Sequence, residues 1–162
     1  METFGVRVAQ DDLVFSAAHF ITLDARQCER LHGHNYRVAV TVQAPLDDSQ
    51  CVLDFHALHR LTRELIEPLD HRILLPTEHP TIQISESDTQ VEVSWTARRW
   101  VFPRAECILL AMSNTTAESL AQWLGHQLVD ALEKTLGFVP QAVRVELEET
   151  TGHSAFFDWR AD

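Results

Sequence analysis

At 162 residues, with 45% hydrophobic and 23% charged side chains, the chain has the size and composition of one globular domain with its own core, and general disorder is excluded. Its 24 acidic against 13 basic residues leave a net charge of −11, which argues against holding nucleic acid by its phosphates or lying on an anionic membrane. No apolar run approaches the roughly 20 residues of a membrane span, Met1–Gln10 lacks the pattern of a signal peptide, and three cysteines without paired spacing (Cys28, Cys51, Cys107) fit a reduced, cytoplasmic setting.

Neither repeats nor a Gly/Ser linker interrupt the chain, so residues 1–162 read as a single domain. From Phe4 to Phe20 apolar residues alternate in part (Phe4, Val6, Val8, then Leu13, Phe15), which predicts a strand or hairpin arm. Asn35–Ala44, rich in Val and Thr at period two, predicts a second strand, antiparallel to the first around the loop Asp24–Gly33. Phe55, Leu58, Leu61, Leu65 and Ile66 fall at spacings of three and four. They predict an amphipathic helix over Asp54–Leu69, with Asp54 as its N-cap and Pro68 near its end.

Between Thr81 and Phe102 alternation returns (Ile82, Ile84; Val91, Val93, Trp95; Trp100, Phe102), predicting a meander of two or three short strands. Thr115–Leu136 carries the strongest helical pattern, with Leu120, Trp123, Leu124, Leu128, Ala131, Leu132 and Leu136 on one face. Thr115 and Glu118 read as a capping box at its start, and Gly137 as its stop. Val143, Val145 and Leu147 alternate next, followed by a short strand over Ala155–Trp159. The order of strands, helix, strands, helix, strands predicts an α+β fold, with the helices packed on one face of an antiparallel sheet.

Nine histidines stand out, and their positions point to chemistry. His32 and His34 are two residues apart at the start of a strand, so they project to the same face. His19, at the end of the neighbouring antiparallel strand, is placed to join them. Three neutral imidazoles suit Zn²⁺ and leave a fourth position open to water or substrate; the same donors accept other divalent ions. The alternative is a chance pair on a solvated turn. Cys28 precedes His32 by four residues. Beside a cation its thiolate would be favoured, making it a base or nucleophile, and away from one it would be a small buried apolar residue. Cys51 and Cys107 read as buried apolar residues.

Asp70-His71 pairs a carboxylate with an imidazole, the arrangement of a proton shuttle. Glu149 is in phase with Val143, Val145 and Leu147 and therefore faces a buried side, where a carboxylate needs a partner. That partner is either a structural cation or the N–H/NH₂ edge of a bound heterocycle. His56, His59, His79 and His126 read as ordinary helix and loop histidines, and His153, after Gly152, as a weaker neighbour of Glu149.

Together, Phe15-Ser16-Ala17-Ala18-His19, Cys28-x-x-x-His32-Gly33-His34-Asn35-Tyr36, Val52-Leu53-Asp54-Phe55, Asp70-His71, Thr115-Thr116-Ala117-Glu118 and Glu149-Thr150 resemble the 6-pyruvoyltetrahydropterin synthase superfamily. The three-residue gap between Cys28 and His32 resembles its 6-carboxytetrahydropterin synthase branch, of queuosine biosynthesis. The resemblance implies a tunnelling (T-) fold: a four-stranded antiparallel sheet with two helices on one face, assembled as trimers or hexamers. It implies 7,8-dihydroneopterin triphosphate as substrate, with Zn²⁺ on His19, His32 and His34. Cys28 would move protons at the side chain, complemented by a relay of Asp70 and His71 that the family draws from a neighbouring subunit. Glu149 would anchor the pterin, with Thr115 and Thr116 nearby. The product would be 6-carboxytetrahydropterin, with acetaldehyde and triphosphate released; the alternatives are a 6-pyruvoyl product or a non-catalytic pterin- or metal-binding module.

The chain departs from the family pattern in three places. It reads Thr115-Thr116-Ala117-Glu118-Ser119 where the family often has Pro-Thr-x-Glu-Asn, and Arg72–Pro76 where a short Leu-Asn loop is usual. About 76–110 it carries an insertion containing the meander. Arg26 and Arg30, flanking the metal loop, are the candidate cations for the triphosphate.

Overall fold

The computed structural model, which describes residues 2–162, has ten strands and two α-helices. They are β1 (Gly5–Val8), β2 (Val14–His19), β3 (His32–Gln43), α1 (Phe55–Ile66), β4 (Arg72–Pro76), β5 (Gln83–Glu86), β6 (Gln90–Trp95), β7 (Arg98–Pro103), β8 (Cys107–Leu110), α2 (Ala117–Leu136), β9 (Ala142–Thr150) and β10 (His153–Arg160). The fold is α+β, as its element order predicts.

The long strand β3 organises the main sheet. One of its edges receives β2 along its first half and β1 along its second, and its other edge receives β9, all antiparallel. The order β10-β9-β3-β2-β4-β8, with β1 on β3, makes seven strands rather than the expected four. The extra strands β4 and β8 join in parallel, Ala17 opposite Arg72 and Ile73 opposite Cys107. Both are short apolar runs without alternation, the pattern of strands buried on both faces, which periodicity cannot detect. The meander is a separate three-stranded antiparallel sheet, β5-β6-β7. The insertion expected at 76–110 therefore divides: β5–β7 stand apart, while β8 belongs to the main sheet.

Helix α1 starts where Asp54 accepts a hydrogen bond from the Ala57 N–H, as its sequence predicts. Phe55, counted on its apolar face, is exposed; Thr62 is buried instead, its hydroxyl donating to the Leu58 carbonyl at 2.8 Å. Helix α2 is capped one residue later than expected. Thr116, not Thr115, accepts the Ser119 N–H, and Gly137 ends the helix in the left-handed region at φ 63°. Packing of α2 on β9 and β10 is close enough that a Cβ on Gly125 would lie 2.5 Å from the Phe157 ring.

Two apolar cores result. The larger lies between the helices and the main sheet, around Phe15, Tyr36, Leu58, Leu120 and Leu128. The smaller joins the meander to that sheet through Phe20, Cys28, Leu75, Val93, Trp95 and Cys107. Phe20 stacks on Trp100 with ring centroids 4.6 Å apart. Cys107 is buried as expected, but Cys51 is exposed: its backbone closes a turn on the Asp47 carboxylate, which leaves the thiol in solvent. Among the described residues, no helix is long and apolar enough to cross a membrane.

Candidate metal centre

Strand register builds the histidine cluster. His19 on β2 lies directly opposite His32 on β3, and His34 follows two residues later on the same face. One nitrogen from each of the three rings lies within 4.8 Å of the others. Nitrogens sharing a tetrahedral Zn²⁺ are about 3.3 Å apart, so small ring rotations close the set. Two backbone carbonyls orient the rings. His19 Nδ1 donates to the Thr115 carbonyl at 2.8 Å and His32 Nδ1 to the Arg30 carbonyl at 2.7 Å, which turns each Nε2 lone pair towards the cluster. Burial pushes the His19 pKa below its ordinary value, keeping the neutral imidazole that a metal ligand requires. The donor set fits a divalent cation.

Glu149 reaches the cluster from β9. Its Oε1 lies 3.4 Å from both His19 Nε2 and His34 Nε2, so its partners are the histidines, not a structural Arg or Lys. Beside it opens a cavity of about 590 Å³, lined by Ile21, Thr116, Glu118, Glu149 and His153. Thr116 and Glu149 thus line one cavity. Thr115 does not line the cavity: it is wholly buried, and its carbonyl orients His19 instead. Tyr36 backs the cluster, with its hydroxyl 3.4 Å from the His19 ring and its phenol pushed well above the usual value by burial and by Glu149.

Two groups sit apart from this cluster. Cys28 is only 9% exposed, inside the smaller core, and burial raises its thiol pKa. Asp70 and His71 form their dyad, Oδ2 to Nδ1 at 2.9 Å. Ser16 anchors it at both ends: its N–H donates to Asp70 Oδ1 at 2.8 Å, and its carbonyl accepts the His71 N–H at 2.6 Å. The Ser16 N–H, and then the imidazole, lower the Asp70 pKa. His71 adopts a left-handed φ of 56°, a strained conformation for a residue with a Cβ, and its side chain is 81% exposed. It does not line the cavity beside Glu149.

Two residues that sequence reasoning did not single out act at the metal loop, Glu29 within it and Arg98 from the meander. The Glu29 carboxylate lies 3.8 Å from His32 Nε2. Arg98, on the meander, donates from Nη1 to the carbonyls of Cys28 at 2.9 Å and Glu29 at 3.1 Å. Glu29 was detectable from its place before His32, whereas nothing in the local sequence marks Arg98 as a partner of that loop.

The profile of the family described as 6-pyruvoyl tetrahydropterin synthase matches residues 10–159. The chain belongs to this family. Within it, the chain is 31% identical over 147 residues to a putative 6-carboxy-5,6,7,8-tetrahydropterin synthase of Methanocaldococcus jannaschii, covering 90% of this chain and 89% of the relative. It is 30% identical over 156 residues to the 6-carboxy-5,6,7,8-tetrahydropterin synthase of Aquifex aeolicus, covering 93% and 89%. The fold matches the crystal structure of 6-pyruvoyl tetrahydropterin synthase from Plasmodium vivax with a TM-score of 0.91 at 22% identity, covering 99% of this chain and all of that one. That protein has also been solved with a glutamate, described as its catalytic residue, replaced by alanine or cysteine.

Proposed function

We propose that the chain is a zinc-dependent lyase converting 7,8-dihydroneopterin triphosphate and water into 6-carboxy-5,6,7,8-tetrahydropterin, with acetaldehyde and triphosphate released. The supporting observation is the convergence of His19, His32 and His34 beside a cavity that exposes Glu149, in a chain whose relatives carry the 6-carboxytetrahydropterin synthase name. Held by the three histidines, Zn²⁺ would act as a Lewis acid on the substrate's side-chain oxygens. Glu149 accepts the paired N–H and NH₂ of the pterin edge, and Thr116 borders the same cavity. Cys28 and the Asp70–His71 dyad move the side-chain protons. For Cys28 this requires the thiol to turn out of the smaller core.

His71 is exposed and does not line the cavity beside Glu149, which supports a homo-oligomer, a trimer or hexamer, in which one subunit's His71 serves its neighbour's histidines. Mixing inactive His19→Ala and His71→Ala proteins is then expected to restore part of the activity through hybrid sites. No recovery after subunit exchange rules out the shared site.

A second reading is a 6-pyruvoyl product. It is favoured by Glu29, whose carboxylate stands 3.8 Å from His32 while the Cys28 thiol is buried, and by the catalytic glutamate of the Plasmodium vivax protein. Turnover of 7,8-dihydroneopterin triphosphate by the zinc-loaded protein, with products identified by mass spectrometry and acetaldehyde assayed separately, decides between them. Acetaldehyde with the 6-carboxy product is expected, and it should be lost in Cys28→Ala. A 6-pyruvoyl product abolished by Glu29→Gln supports the second reading. Binding of zinc and pterin without turnover leaves a non-catalytic module.

A further inference from the structure

We propose that the meander completes an anion-binding site for the substrate's triphosphate, built from Arg30 on the metal loop and Arg98 on β7. A cavity of about 330 Å³ opens between these two elements, lined by Arg30, Leu31, Arg98, Arg99 and Trp100. It begins at the residue whose carbonyl orients His32, so the cavity and the cluster share one loop.

Charge marks it as an anion site. In a chain of net charge −11, most basic side chains are neutralised by carboxylates, but neither Arg30 nor Arg98 has an acidic partner among the described residues. Arg99 is held by Glu92 at 2.7 and 2.8 Å, so its charge is cancelled and the wall carries two net positive charges. Arg98 is positioned in advance of any ligand. Its Nη1 bonds both loop carbonyls, while the Trp95 ring lies 5.7 Å from its guanidinium carbon. Nε and Nη2 make no hydrogen bond to the described residues, leaving N–H groups on a fixed guanidinium for phosphate oxygens. Phosphate suits this fork better than a carboxylate, because a polyphosphate offers several oxygens to two guanidinium groups at once. Of the two candidate cations in the sequence, Arg30 lines the cavity and Arg26 does not; its partner arrives from the meander.

This inference rests on the substrate class proposed above, and its test separates the two. Inorganic tripolyphosphate is titrated into the full chain by calorimetry, alongside Arg30→Ala, Arg98→Lys and the charge-matched control Arg60→Ala on α1. Arg30 has no partner to lose, so its variant tests the site without disturbing the loop. Tenfold or greater weakening is expected for Arg30→Ala and a smaller loss for Arg98→Lys, with Arg60→Ala unchanged. With the pterin triphosphate, KM is expected to rise about tenfold in Arg30→Ala while kcat stays within about threefold. No tripolyphosphate binding, or equal weakening by Arg60→Ala, overturns the site. If tripolyphosphate binds through Arg30 but the pterin triphosphate is not turned over, the proposed reaction falls and the anion site stands. Turnover with an unaltered KM in Arg30→Ala gives the reverse.

Discussion

The two cores do different work. The larger, between the helices and the main sheet, is assembled from amphipathic patterns that each element carries on its own, and it sets β2 beside β3. The smaller joins the alternating face of the meander to single residues far apart in the chain, and two of these, Phe20 and Cys28, lie in the segment that connects His19 to His32. The histidine cluster therefore lies at a seam. Its ligands stand on strands fixed by the larger core, and the loop between them is tied down by the smaller core and by Arg98. The larger core should govern whether the chain folds, and the smaller how tightly the metal loop is held.

The most severe way to probe this seam is to remove a ligand. His32→Ala is expected to weaken zinc binding at least 100-fold with unchanged secondary structure, read by competition with a chromophoric chelator and by circular dichroism. Unaltered affinity would move the metal elsewhere. Two truncations of similar expected cost separate the cores. Leu128→Ala in the larger core should cost about 2–5 kcal/mol and Trp95→Ala in the smaller about 3–5 kcal/mol. Only Trp95→Ala is expected to weaken zinc binding by the folded protein, and equal weakening by Leu128→Ala would erase the distinction. Gly125→Val, aimed at the α2–β10 contact, should cost about 1–3 kcal/mol in a denaturant titration and leave zinc affinity intact.

Thiol reactivity gives the smallest effect and the sharpest view of the smaller core. Alkylation of the metal-free protein near pH 7.5 should label the exposed Cys51 and spare Cys28 and Cys107. Burial raises both protected thiols above the ordinary 9.0, so their thiolate fraction at neutral pH is below that of a free cysteine, and it grows only as the pH climbs past that value. Rapid labelling of Cys28 at pH 7.5 would show the metal loop leaving the core.

Residues whose partners lie nearby in sequence, or on a strand paired by a short connection, were legible. His19, His32 and His34 fall into this class, because the antiparallel pairing of two alternating segments dictates their register. Asp54 as a helix cap and the Asp70–His71 dyad belong there too, whereas for Glu149 only the inward phase was legible and not its histidine partners on distant strands. Thr116 rather than Thr115 caps α2: a Thr-Thr pair offers two caps to local reasoning, and the Thr115 carbonyl is the one engaged by His19. Cys28 was legible in spacing but not in direction, since the side a loop residue faces depends on what packs against it.

By itself, the sequence determined the α+β class, the antiparallel pairing that gathers three histidines, both helices and the meander, because period, caps and turns act over short separations. Only the tertiary structure decided that β4 and β8 enter the main sheet in parallel, since that depends on burial of both strand faces by elements distant in the chain. It also decided that Thr115 serves His19, and that Arg98 reaches back across the fold to the metal loop. Such contacts leave no local periodicity, because each joins one residue to a backbone carbonyl on a distant element.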